Sequence, residues 1–225
     1  ESVLVGSTRG GWNDSENAGE SDFVAAKLSS EGVLVWIWQD GTPANDTMVG
    51  VVACSSDEVV VAGRTNGDWN GANSGGADMA VTKLAVGSGT EVWRYQVGSD
   101  QDDISKSVAA GSDGSVVVAG YTEGDLGGSN AGGADFFAIK LHANGSEAWR
   151  WQGGTDGDDY MYPVVVGNDG SVVVAGYTTG SWASANLGEV DFAAVKLDKD
   201  GKELWRWQGG TPLKDKIFAT VATED

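Results

Sequence analysis

Residues able to do chemistry are few in this chain, and many of them recur in register. Trp12, Trp69 and Trp182 occupy one position of a repeated loop, with Leu126 in the remaining copy. Indole rings held out from loops at regular intervals can stack on sugar rings, which makes these three a candidate carbohydrate platform. The leucine in the other copy suits a different job equally well, a lid over sheet edges that needs only to be apolar.

A second candidate lies where the copies disagree. Small residues recur at one level, Gly50, Ser107, Pro163 and Ala219, while beside them stand Val49, Lys106, Tyr162 and Phe218. Diversity among otherwise matching repeats is where a binding function can be grafted, and Lys106, Tyr162 and Phe218 are the residues to watch. Unselected drift would leave the same pattern.

Oxygen ligands for a structural calcium are available at Asp102-Asp103, at Asp158-Asp159 and in the loop carrying Asp14, Glu16, Glu20 and Asp22. Calcium takes six to eight oxygens, yet no Asp-x-Asp-x-Asp-Gly run is present. An Asp just before a strand more often accepts backbone hydrogen bonds in its own turn. No other cofactor is implied.

Catalysis finds little footing. The only histidine, His142, sits in a polar turn beside Asn144-Gly145 without an evident Ser or Cys partner. Cys54, the only cysteine, falls in an apolar strand where a thiol usually packs as a small hydrophobe. A hydrolase working with carboxylates alone needs a matched pair, and none stands out. A non-enzymatic role is expected.

These residues are positioned by repeats. The stretch Glu147-Ala148-Trp149-Arg150-Trp151-Gln152 returns at Glu203–Gln208 and Glu91–Gln96, and in altered form at Val35–Gln39, with first tryptophans at 36, 93, 149 and 205. The repeats run 1–57, 58–114, 115–170 and 171–225. Each opens on a β-branched run such as Val116-Val117-Val118-Ala119-Gly120-Tyr121-Thr122, which reads as a buried strand. A Gly/Asn loop follows, its repeated Gly19, Gly75, Gly132 and Gly188 suggesting positive φ. Then come a second strand (Asp135 to Leu141 in the third repeat), the Trp strand, and a last apolar strand (Met48 to Ala53, Ile104 to Ala110, Tyr160 to Val166, Ile217 to Ala222). Tight turns such as Asn168-Asp169-Gly170 signal hairpins. Nothing shows sustained helical periodicity, so the chain is expected to be all-β with about sixteen strands.

Within the Trp strand, Trp149 and Trp151 share a face and Arg150 takes the other. The tryptophans are expected in the seam between sheets. Arg150 and its equivalents are expected to pair with a recurring Asp, while Lys140, on the face opposite Asp135, needs a partner elsewhere.

Four strands per repeat of about 56 residues is the pattern of propeller blades. The motifs "VVVAGYT", "GGADFFAIKL" and "EAWRWQGGT" resemble the β-propeller repeat family known as SBBP, and the resemblance covers the whole chain. It implies a propeller fold and no particular function. Repeat one departs most, with Ile37 in place of the Arg and Glu20-Ser21 before Asp22. Residues 221–225 repeat the pattern of 52–57, and Glu1-Ser2-Val3 that of Glu58-Val59-Val60. The termini are therefore expected to share one blade and close a four-bladed ring as a single domain, residues 1–225. A piece of a larger propeller, or half of an eight-bladed dimer, is the alternative. Since the chain opens at Glu1 instead of Met, any targeting segment is expected to lie outside it.

The net charge is −19, and seven of 14 basic residues recur at fixed repeat positions. Such a surface makes nucleic acid and anionic membranes poor partners, and no run approaches the length of a membrane span. It suits solubility in a salty or extracytoplasmic setting, or attraction of a basic protein face. The expected function is a non-catalytic protein-interaction or scaffold propeller, a peripheral subunit of a larger extracytoplasmic assembly. The alternative is a glycan-binding propeller built on the loop tryptophans.

Overall fold

A computed structural model describes residues 1–12 and 15–222. Among these residues it contains fifteen strands and no helix. The chain divides into two compact units, Glu1–Ser105 and Lys106–Asp225.

In the first unit, β1 (Ser2–Thr8), β2 (Asp22–Leu28) and β3 (Leu34–Asp40) form a three-stranded antiparallel sheet. A four-stranded sheet follows, in the order β4 (Asp46–Ala53), β5 (Glu58–Thr65), β6 (Asp78–Ala85) and β7 (Glu91–Val97). Phe23 and Ala25 of the first sheet share a core with Met48, Val59, Val61, Ala80 and Leu84 of the second. The β-branched runs therefore do what their apolar faces demand and pack sheet against sheet.

The second unit repeats the plan. β8 (Asp103–Ala110) enters it across the boundary and is the edge of a sheet ordered β11 (Glu147–Gly153), β10 (Asp135–Leu141), β9 (Val116–Thr122), β8. The other sheet runs β12 (Asp159–Val166), β13 (Val172–Thr178), β14 (Asp191–Leu197), β15 (Glu203–Gly209). Val117, Ala119, Phe136 and Ala138 meet Met161, Val164, Val174 and Val195 in one core, with Trp149 and Trp151 packed against it. For these two tryptophans the seam expectation holds.

Each repeat thus gives three strands to one sheet and sends its last strand to the first strand of the next repeat, as β4 pairs with β5 and β12 with β13. One strand departs from expectation. Residues 216–222 form no strand, β1 has only β2 beside it among the described residues, and Phe218 and Val221 are exposed. Among the described residues no strand of the C-terminal segment pairs with β1 as a shared blade would require, and residues 223–225 lie outside them. Trp205 and Trp207 are correspondingly 45% and 50% exposed, unlike their counterparts in β11.

Two local readings are also corrected. Of the four recurring loop glycines only Gly75 has positive φ; the positive values otherwise fall at Gly71 in the same loop and at turn glycines such as Gly32, Gly145 and Gly201. What Gly19, Gly132 and Gly188 require is room, because a Cβ there would overlap the backbone at Pro43, Asp156 and Pro212. The recurring arginine pairs mainly with a glutamate of its own strand: Arg94 with Glu91 at 2.7 Å, Arg150 with Glu147 at 2.5 Å and Arg206 with Glu203 at 2.6 Å. Residues three apart on a regular strand face opposite ways. Here a bulge passes over Val92, Ala148 and Leu204 and turns the glutamate onto the arginine's side.

Candidate functional site

The second unit gathers four of the chain's five tyrosines. Tyr160 and Tyr162 are two apart on β12 and face one way, and the register sets Tyr160 opposite Tyr177 of β13. The Tyr160 ring lies 5.4 Å from Tyr177 and 4.7 Å, edge-on, from Tyr121 of β9. Tyr162 stacks on Tyr177 at 5.7 Å and meets Phe218 edge-on at 5.8 Å. Two lysines complete the group. Lys106 Nζ stands 5.4 Å from the Tyr121 ring and 5.9 Å from Tyr162, and Lys216 Nζ lies 4.3 Å over Tyr177.

Lys106, Tyr162 and Phe218, which the sequence singles out because the repeats differ there, are therefore brought together. Val49 belongs to the other unit. Tyr121, Tyr160, Tyr177 and Lys216 escape a reading of the sequence because their adjacency depends on strand register. Burial first, then the nearby Asp158 charge, pushes the Tyr160 hydroxyl pKa up; a hydrogen bond with Tyr177 first, then burial, does the same for Tyr162. Both phenols remain hydrogen-bond donors at neutral pH. With Phe218 at 68% exposure, the patch combines rigid aromatic area, phenolic donors and two ammonium groups. Tyrosine is among the residues enriched in protein–protein interfaces.

The loop tryptophans are engaged otherwise. Trp69 is buried, edge-on to Phe23 at 4.7 Å, with the Arg94 guanidinium 4.6 Å over its ring and its Nε1 donating to Asp40 at 3.0 Å. Trp182 is half-buried against Phe136 at 5.2 Å, under Arg206 at 4.9 Å. Leu126 is buried, and Trp12 is 46% exposed. Arginine already covers Trp69 and Trp182 where a sugar would stack, and Trp12 keeps an open indole.

The glutamine closing each Trp strand holds these loops, a role its sequence position gave no sign of. Gln39, Gln96, Gln152 and Gln208 donate to Asp22, Asp78, Asp135 and Asp191 at 2.9–3.0 Å. They also donate to the carbonyls of Gly10, Gly67, Gly124 and Gly180. In return their Oε1 accepts the N–H of Trp12, Trp69, Leu126 and Trp182 at 2.6–3.0 Å. "WRWQ" recurs because one amide ties a loop to a strand.

The calcium candidates are used the same way. Asp103 and Asp159 accept the N–H of Ser99 at 2.5 Å and of Thr155 at 2.6 Å. Asp102 and Asp158 accept from Ala77 and Ala134, and Asp22 from Ala18. Among the described residues no group of three or more His, Cys, Asp or Glu is placed to hold a metal, and Asp14 lies outside them. Burial, the largest cause in each case, raises the pKa of Asp46, Asp78, Asp135 and Asp159. Cys54 is half-buried, and burial likewise pushes its thiol up, away from the reactive thiolate.

No family model matches the chain. Among curated proteins it is similar to the regulatory protein FlaEY of Caulobacter vibrioides, at 30% identity over 175 residues. The match covers 70% of this chain but only 18% of that protein.

Proposed function

We propose that the chain is a non-catalytic interaction module that docks a protein partner on the tyrosine–lysine patch of its second unit. The gathering of Tyr121, Tyr160, Tyr162, Tyr177, Lys106, Lys216 and Phe218 carries this reading. The likeness to a regulatory protein, and to a small part of a much longer chain, fits a module that works within a larger assembly. An overall charge of −19 would steer a partner with a basic face toward the molecule, while Lys106 and Lys216 call for acidic or aromatic groups where that partner seats on the patch.

As the frame for this module we propose a four-bladed propeller of the SBBP type in an extracytoplasmic setting, on the strength of the four sheets with a shared strand plan. A glycan-binding alternative retains one favourable observation, the exposed ring of Trp12. The test is purification of the native complex beside variants. Phe218→Ser and Lys106→Glu are expected to lose at least 10-fold in retained partner, while Trp12→Ala retains it in full. Equal retention by all three variants defeats the reading. A glycan-array signal lost in Trp12→Ala moves the assignment to carbohydrate.

A further inference from the structure

The second strand of each repeat carries a lysine, Lys27, Lys83, Lys140 and Lys196, set opposite the first strand of its own repeat. In the first unit each meets a glutamate from the start of that first strand. Lys83 Nζ lies 2.9 Å from Glu58, and Lys27 Nζ 3.1 Å from Glu1. In the second unit the glutamate's place is taken by Ser115 and Ser171.

The consequence is sharpest at Lys140. Its side chain is only 10% exposed, and its nearest carboxylate oxygen, on Asp113, is 3.9 Å away, beyond hydrogen-bond reach. That oxygen is Asp113 Oδ2, while Oδ1 accepts the amide and hydroxyl of Ser115. Lys140 is thus held by one long ion pair where Lys83 has a short one. It lines a cavity of about 530 Å³ together with Ser115, His142, Trp149 and Lys199, a size that suits a small molecule.

We propose that this cavity binds a sugar acid, whose carboxylate takes on Lys140 the place that Glu58 holds on Lys83. The first unit supplies the template, since a carboxylate already fits the lysine there at 2.9–3.1 Å. Trp149 offers an aromatic wall for a pyranose ring, its Nε1 being tied back to the Lys199 carbonyl at 2.9 Å. Asp113, Asp169 and Asp200 also line the cavity. Carboxylates accept hydrogen bonds from hydroxyls and repel a second anionic group. The ligand they select has one carboxylate and several hydroxyls.

The probes are D-glucuronate, acetate and glucose, titrated into the full chain while the Trp149 indole N–H resonance is followed by NMR. D-Glucuronate is expected to shift that resonance saturably and to bind at least 10-fold more tightly than acetate, with no saturable shift from glucose. Ser115→Glu rebuilds the pair seen at Glu58 and Lys83, so it is expected to fold normally and to weaken D-glucuronate binding at least 10-fold. Lys140→Gln is expected to weaken it equally. A D-glucuronate titration without saturation overturns the proposal, as does undiminished binding by Ser115→Glu. Glucose or acetate binding as tightly as D-glucuronate overturns the sugar-acid assignment.

Discussion

Where the second unit carries Tyr121, Tyr160, Tyr162 and Tyr177, the first carries Arg64, Thr47, Val49 and Ser7 at the same repeat positions. Where the first unit closes a buried lysine with Glu1 or Glu58, the second has Ser115 or Ser171. The two units share strand order, register, bulge and glutamine latch. They differ at positions outside this shared frame, some of them buried, as Tyr177 and Ser115 are. Scaffold and variable positions have thus separated within one repeat. The residues that hold sheets together are uniform, and chemistry is added where uniformity is not required.

The latch gives the largest expected effect and shows how far the uniformity reaches. Gln208 is buried, and its amide serves Asp191, the Gly180 carbonyl and the N–H of Trp182 and Ala183. Asp191 Oδ1 has no hydrogen-bond partner, and Gln208→Ala leaves the other oxygen with the Leu187 N–H alone. A loss of about 2–3 kcal/mol is expected in denaturant unfolding, the cost of leaving buried charged and polar groups unsatisfied. Gln39 makes the matching bonds in the first unit from a half-buried position where water can substitute. Gln39→Ala is therefore expected to cost about 1 kcal/mol. Equal costs would show that the two latches are equally dry.

This contrast bears on what the sequence makes legible. The tryptophan spacing and the β-branched runs announce the sheets because a strand covered on both faces must be apolar throughout. The seam for Trp149 and Trp151 follows from their two-residue spacing. The strand expected at Ile217 to Ala222 has the right pattern, yet among the described residues it lies beside no strand, and pairing is not a property of the segment itself. The patch is half visible. Lys106, Tyr162 and Phe218 stand out because one strand position varies, while Tyr121 and Tyr177 come from a different strand and join them only through register. The glutamine was in plain view in every copy. Its role needs the loop that folds back onto it, which no local pattern shows.

Acidity probes what the units have in common. Asp46 and Asp78 in the first, and Asp135 and Asp159 in the second, have pKa values raised chiefly by burial. A carboxyl raised in the folded state holds its proton more tightly folded than unfolded. Its protonation adds stability that is complete below the unfolded value, near 4, and is lost as pH rises through the folded value. Asp113 acts oppositely: hydrogen bonds from Ser115 lower its pKa, so its contribution is lost as pH falls through that lowered value. The melting temperature is expected to climb as pH falls through the raised folded values toward the unfolded value near 4, then fall in stronger acid. Asp159→Asn should flatten the climb, and Asp46→Asn should do so to a similar degree. A melting temperature that falls steadily from neutrality would mean that these aspartates stay ionised in the fold.

The smallest expected effect lies where the units solve one problem differently. In the first unit Asp40 takes the Trp69 indole N–H at 3.0 Å and pairs with Arg94 at 2.7 Å. The matching residue before Trp182 is Gly153, and the buried Trp182 Nε1 has no hydrogen-bond partner. An acceptor cannot simply be installed there, because a Cβ on Gly153 would stand 2.8 Å from the Trp151 ring. The half-exposed ion pair is worth little by itself, about 0.5 kcal/mol. Asp40→Asn, which keeps an oxygen for the indole, is expected to cost no more than that. Asp40→Ala removes the acceptor as well and should cost about 1–2 kcal/mol, leaving Trp69 as Trp182 already is. If both substitutions cost the same, the ion pair and not the indole bond is what Asp40 contributes, and the missing acceptor at Trp182 carries no penalty for the second unit.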